Sequence, residues 1–236
     1  MLDSYSNPYL VAASNESVRA AFIRKTYTHL AGAILAFVAI EWALFQIPGI
    51  QETVFGLLAK SRFSWLLVLG VFMFVSHIAN KWAMSSTSLS TQYLGLAIYV
   101  VAEALIFLPL LLFAAYKVGD PEVIGKAGIV TLAMFGGLTF VAFTTKKDFS
   151  FLGGMLKVGF FIAIGLIAAS FFFNGLDLGI WFSGAMVLLA SGSILYTTSN
   201  IIHHYRTDQY VAASLGLFAS VALLFWYILQ IFMSRD

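Results

Sequence analysis

The sequence predicts an all-α integral membrane protein built as a seven-transmembrane-helix bundle. Hydrophobic residues make up 61% of the 236-residue chain and charged residues only 10%, whereas soluble domains carry roughly 25% charged residues. A soluble protein of this composition could not cover its surface with polar groups, but a lipid bilayer removes that requirement. Seven apolar stretches also approach or exceed the ~20 residues that a membrane-spanning helix needs.

The seven predicted spans follow one another along almost the whole chain. They cover about 27–47, 63–80, 93–116, 124–144, 151–173, 178–199 and 210–233. Turn residues and charges separate them, beginning with Pro48 and Gly49 after the first span. Because no connection is long enough for a folded soluble domain, we predict a single transmembrane domain at 27–236 after a polar N-terminal tail at 1–26.

The flanking Lys and Arg residues predict the orientation in the membrane, since cytoplasmic loops carry more of them. With the N-terminus inside, the inner flanks hold Arg19, Arg24, Lys25, Lys81, Lys146, Lys147 and Arg206, and the outer flanks hold Lys60, Arg62, Lys117, Lys126 and Arg235. The chain is therefore expected to be a multi-pass protein of the cell membrane with a cytoplasmic N-terminus.

Several functional classes find no support in the sequence. The chain has no cysteine, which excludes disulfides and a cysteine nucleophile, and its net charge of +2 is too small to suggest nucleic-acid binding. No nucleophile elbow, phosphate loop or His-Glu-x-x-His motif is present. We therefore expect no enzyme, no cofactor and no metal site.

Two glutamates at membrane depth are the first candidates for function, because ionisable groups are expensive there and often mark ion or proton pathways. Glu103 lies near the midplane of the third span, and Glu41 lies about two-thirds along the first. Each is either a proton or cation site or a protonated acid bonded to a neighbouring helix; Glu41 can also reach the outer interface by snorkelling. Pro109 frees a backbone carbonyl near Leu105 and marks either a polar kink or a tolerated one.

Two further groups of residues stand near the end of the chain. His203 and His204 are pH-sensing candidates, because histidine titrates near neutral pH, or else part of a solvated juxtamembrane cluster. Small residues recur every four positions on the last two spans, which favours close helix packing over a pore lining. They are Ser193 and Thr197 on the sixth span, and Ala212, Gly216 and Ser220 on the seventh.

Three stretches resemble the Bax inhibitor-1 family, also called the transmembrane Bax-inhibitor-motif family. The loop from Lys146, Lys147 and Asp148 to residue 152 is similar to that family's Lys-Arg/Lys-Asp-Leu-Ser-Phe-Leu loop. Residues 192–203 are similar to its Gly-x-Ile-Leu-Tyr-Asp-Thr…Ile-Ile-His segment, and 213–232 resemble its last helix. The loop and the Ile-Leu-Tyr segment together are fairly specific.

The resemblance implies six helices around a central seventh and, for bacterial members, a pH-sensitive calcium leak gated by two paired aspartates. Here Thr197 takes the place of the first aspartate, and Ser220 or Phe218 takes that of the second. Hydroxyls can bond across a helix contact but cannot titrate near neutral pH or bind calcium as carboxylates do. We therefore interpret Asp148 and the lysine pair as a loop anchor and topology signal, and do not transfer the aspartate sensor.

Two functions remain open from the sequence. The first is a pH-modulated leak for calcium or protons, in which Glu103 replaces the lost aspartates and faces the last helix near Thr197 or Ser220. The second is a non-transporting regulator of membrane-protein quality control, stress or cell-death responses, which binds a partner such as a quality-control protease. Its predicted handle is the polar tail from Met1 to Lys25.

Overall fold

The computed structural model describes residues 10–60, 63–85, 88–118, 120, 122–145, 147–173 and 178–234. Within these ranges the chain forms eight α-helices: α1 (Glu16–Phe45), α2 (Ile50–Ala59), α3 (Ser64–Ala83), α4 (Leu89–Lys117), α5 (Val123–Thr145), α6 (Leu152–Phe172), α7 (Gly179–His203) and α8 (Tyr210–Met233). Seven of them are long and apolar enough to cross a membrane. The predicted all-α, seven-span architecture is confirmed.

The structure departs from the predicted boundaries mainly near the N-terminus. Helix α1 begins at Glu16 rather than near residue 27, because a buried stripe at Phe22, Thr26 and Leu30 continues the helix through polar sequence. Helix α2 was not predicted, since its ten residues are too short to span a bilayer. It follows Gly49, whose φ of 75° is left-handed and favours glycine.

Helix α8 is the centre of the bundle. Most of its length is buried, and it packs against α1, α3, α4, α5 and α7. Helix α6 packs mainly on α7 and reaches α8 through a cluster of Ala163, Met186 and Tyr227. The implied arrangement of outer helices around a central C-terminal helix is therefore present.

A glycine sets the contact between α3 and α4. A Cβ atom on Gly95 would lie 2.5 Å from the carbonyl oxygen of Ala79 and 2.6 Å from the backbone nitrogen of Ala83. Both alanines are almost fully buried. Only glycine allows the two backbones to approach this closely, and the contact fixes the part of α4 that leads to Glu103.

The chain before α1 docks against the loop between α7 and α8. A short 3₁₀ turn at Val11–Ala13 is held by a hydrogen bond of 3.0 Å from the Val11 amide to the Tyr205 carbonyl, and Leu10 forms an antiparallel bridge with Arg206. Val11 is fully buried. Residues 10–26 of the predicted tail are thus packed or helical, and residues 1–9 lie outside the described ranges.

Candidate functional site

Helix α4 presents a polar position to the interior of the bundle. Tyr99, Glu103 and Phe107 recur every four residues and so share one face of the helix. Only 5% of Glu103 is exposed, and its carboxyl group lies near the Tyr99 hydroxyl one turn earlier. The helix therefore holds a carboxyl group inside the protein and away from lipid.

A cavity of about 260 Å³ lies beside this carboxyl group. Helices α3, α4, α6, α7 and α8 all contribute to its wall, so it lies on the side of α8 that faces α4. Its lining residues are Phe72, Tyr99, Glu103, Phe107, Phe160, Ser193, Ala219, Ser220, Leu223 and Trp226. The structure thus brings two of the sequence-predicted residues, Glu103 and Ser220, to the same space.

The hydroxyl groups in the cavity wall join α7 to α8. The Ser220 hydroxyl donates to the carbonyl of Gly216 at 3.0 Å, and the oxygens of Ser193 and Ser220 are 2.9 Å apart. With the Ser220 proton directed to Gly216, Ser193 is the donor in the second bond. The pair is a neutral contact between the last two helices.

Thr197 and Ser220 do not form the pair that the family pattern suggests. Thr197 lies one turn from Ser193 on α7. Its methyl group packs towards Gly216 of α8, where an added Cβ atom would lie only 3.3 Å from it. Ser220 bonds instead to Ser193. The two positions therefore fall on successive turns of the α7–α8 contact, and Thr197 contributes packing there.

Glu41 lies apart from this cavity. It continues the inward-facing stripe of α1, and only 6% of it is exposed. Neither carboxyl oxygen has a hydrogen-bond partner among the described residues. Glu41 therefore does not snorkel to the interface, because its side chain packs inward with its helix.

Pro109 also lies outside the cavity. Helix α4 continues through it from Leu89 to Lys117. Leu105, whose carbonyl loses its usual donor, has a side chain on the outer face of the helix that is 56% exposed. The proline and Glu103 are therefore on one helix but do not form a common polar site.

The loop before α6 is tied to the end of α7 by Asp148. Its carboxylate accepts hydrogen bonds from the Ser150 amide at 2.9 Å and the Ser199 hydroxyl at 3.2 Å, and it lies 3.1 Å from Nε2 of His204. The hydrogen bond from the Ser150 amide, followed by the contact with His204, lowers the pKa of Asp148 to about 2. Asp148 therefore remains a carboxylate across the physiological range.

The other residues predicted near this loop have separate positions. Nδ1 of His203 lies 2.9 Å from the Ser199 carbonyl oxygen of its own helix, and Lys147 is exposed. Lys146 lies outside the described residues. Within the described ranges, no three His, Asp or Glu side chains are grouped so that they could hold a metal ion.

Comparison with known protein families identifies the family to which the chain belongs. The family model described as Inhibitor of apoptosis-promoting Bax1 matches residues 19–236. The chain belongs to this family. The match covers all seven spanning helices and the cavity between them.

Relatives of the chain occur in bacteria and in yeast. An uncharacterized protein of Pseudomonas aeruginosa is 35% identical over 166 residues, which is 69% of each chain. Bax inhibitor 1 of Schizosaccharomyces pombe is 29% identical over 232 residues, covering 98% of this chain and 82% of the yeast protein. The Modulator of FtsH protease YccA of Escherichia coli is 37% identical over 121 residues, or 48% of this chain and 54% of YccA.

Sequence reasoning missed the aromatic part of the site. Tyr99 and Phe107 could have been found from their four-residue spacing about Glu103, which places all three on one helix face. Phe72, Phe160 and Trp226 had no such signal, because they come from three other helices. Their proximity depends on how the helices pack.

Proposed function

We propose that this chain is a non-catalytic, multi-pass regulator of membrane-protein quality control that acts by binding a membrane-embedded partner. The observation that carries the proposal is the neutral contact between α7 and α8. Ser193 bonds to Ser220, and Thr197 packs towards Gly216. A contact of hydroxyls and methyl groups closes two helices but offers no acidic pair that protons or calcium could open.

The family relationship supports the same proposal. The relative YccA carries the name Modulator of FtsH protease, and it is 37% identical to this chain over 121 residues. A regulator of this kind needs contact surfaces rather than a nucleophile or a metal. We therefore propose a protease of the FtsH type as the partner.

The proposed contact region lies at the end of the bundle where the N-terminal segment docks. The Val11 amide holds the start of the described chain against the Tyr205 carbonyl, in the loop between α7 and α8. The described positive side chains at this end are Arg19, Arg24, Lys25, Lys81, Lys147 and Arg206, which supports a cytoplasmic position. Because the chain lacks cysteine, a Lys147→Cys variant tests the orientation by labelling from one side of the membrane.

Reconstitution with an FtsH-type protease tests the proposal. The rate at which the protease degrades a membrane-protein substrate in proteoliposomes should change severalfold when this chain is present, and the two proteins should co-purify. Removal of residues 1–9 should weaken co-purification, whereas a Lys60→Ala variant at the opposite end should not. An unchanged degradation rate with the full chain would contradict the regulatory role.

A leak for protons or cations is the second candidate, and the Glu103 cavity favours it. The carboxyl group and Ser220 line the same space, to which five helices contribute side chains. Liposomes containing the chain and a calcium or pH dye should show flux that depends on pH and falls in a Glu103→Gln variant. Flux no greater than that of empty liposomes across the pH series would exclude this role.

A further inference from the structure

The wall of the Glu103 cavity is unusually rich in aromatic rings. Half of its ten lining residues are aromatic, and they come from four helices: Phe72, Tyr99, Phe107, Phe160 and Trp226. The Phe107 and Trp226 rings meet edge to face with centroids 4.9 Å apart, and the Phe72 and Tyr99 rings lie 6.2 Å apart. Aromatic rings therefore make up half of the cavity wall, and four of the five contact another ring of the wall.

Among these lining residues, Glu103 alone has an acidic side chain, and none of them is Lys, Arg or His. A carboxylate inside a bundle is unfavourable without a positive partner. Aromatic faces also attract cations, most strongly where water is excluded. The carboxyl group and the rings therefore select the same kind of ligand, one that carries a positive charge.

The polar groups of the cavity do not suit a metal ion. Calcium takes six to eight oxygen ligands, whereas this wall offers one carboxyl group and the hydroxyls of Tyr99, Ser193 and Ser220. Ser193 and Ser220 are already bonded to each other. A cation that carries its own apolar surface needs fewer oxygens, because the rings replace its weak hydration.

We propose that this cavity binds a small alkylammonium cation, with the positive nitrogen next to Glu103 and the alkyl groups against Phe72, Phe160 and Trp226. Aromatic cages recognise quaternary ammonium groups in this way. The volume of about 260 Å³ limits the ligand to a small headgroup-sized cation. The proposal goes beyond the regulatory role and requires no transport, so loss of protease modulation would leave it standing.

Calorimetric titration of the full chain in nanodiscs tests this proposal. Phosphatidylglycerol nanodiscs avoid competition from choline headgroups. The probes are tetraethylammonium, choline and 3,3-dimethylbutan-1-ol, which has the shape of choline but a neutral carbon in place of nitrogen. We expect saturable binding of the two cations, with binding of the neutral alcohol at least about tenfold weaker. Equal binding of choline and the alcohol would overturn the proposal.

Variants locate the binding in the cavity. Glu103→Gln keeps the shape of the side chain but removes its charge, and Phe160→Leu removes one ring from α6; each should weaken tetraethylammonium binding about tenfold. Glu41→Gln alters a buried acid outside the cavity and should leave binding unchanged. Circular dichroism and thermal unfolding verify that each variant is folded. If both cavity variants are folded and bind tetraethylammonium as the unaltered chain does, the proposal is wrong.

Discussion

Glu41 and Glu103 are both almost fully buried acids on spanning helices, but their surroundings differ. Glu103 lies near the Tyr99 hydroxyl and lines a cavity together with it. Glu41 follows Phe37, which packs against rings of α4 and α8, and its two oxygens have no partner in the described part of the chain. Glu103 is therefore placed where it can bind a ligand, whereas the burial of Glu41 lowers the stability of the fold.

The comparison shows that depth in the membrane does not by itself identify a functional acid. Both glutamates are costly by position. What separates them is the cavity that neighbouring helices form beside Glu103. Three kinds of substitution test this difference between the two sites: in the wall of the cavity, at the two acids themselves, and at an acid outside the membrane.

The largest effect is expected from Gly95→Val, which removes the close approach that positions α4. The new side chain would meet the backbone of Ala79 and Ala83, so the helices must separate and the cavity loses its fixed wall. We expect the free energy of unfolding to fall by about 3 kcal/mol, together with loss of ligand binding at Glu103. Thermal or denaturant unfolding in detergent measures the first effect, and calorimetry the second.

Gly70→Val is the matched control on the facing helix. A Cβ atom at Gly70 meets no other atom within 4 Å, so this variant should unfold much as the unaltered chain does. Equal losses in the two variants would show that the helix contact at Gly95 is not the cause.

A smaller effect of opposite sign is expected from Glu41→Met. Removing a buried group whose oxygens lack partners should raise the free energy of unfolding by about 1–2 kcal/mol. Glu103→Met should bring no such gain, because the Glu103 carboxyl group borders a cavity and lies near the Tyr99 hydroxyl, so it is less costly to bury than Glu41. Equilibrium unfolding of the two variants side by side tests the comparison directly, and equal stabilisation would mean that the two sites are equivalent.

The smallest effect is expected from Asp148→Ala, which alters an acid outside the spanning helices whose carboxylate has hydrogen-bond partners. Loss of its contacts with Ser150, Ser199 and His204 should lower the stability by about 1 kcal/mol at pH 6. Because folding lowers the pKa of Asp148 to about 2, its contribution is present above pH ~4 and is lost as the pH falls towards 2. The difference in melting temperature between the variant and the unaltered chain should therefore shrink over that range; a constant difference would show that the charge is not responsible.

The sequence was sufficient to predict the spans, because each needs its own apolar stretch whatever its neighbours are. It was insufficient for the start of α1, where inward-facing residues such as Phe22 alternate with polar ones and lower the average hydropathy. It also could not predict the partner of Ser220, since the register between α7 and α8 depends on packing. The resemblance suggested Thr197, whereas the structure brings Ser193 to that position.

The aromatic cavity shows the same limit more clearly. Glu103 could be found from the sequence because a single charged residue in an apolar stretch can be recognised without knowing the fold. Phe160 and Trp226 could not be found in this way, because phenylalanine and tryptophan are common in sequences that face lipid. These rings line one cavity only because α3, α4, α6, α7 and α8 pack together around it.

The docked N-terminal segment has a consequence for how the chain is made. Its partners at Tyr205 and Arg206 belong to the loop before the last helix. During synthesis the ribosome delivers Leu10 and Val11 long before that loop exists, so their bonds to Tyr205 and Arg206 cannot form until translation is nearly complete. The contact therefore forms as one of the last steps of biogenesis and joins the first translated part of the described fold to one of the last.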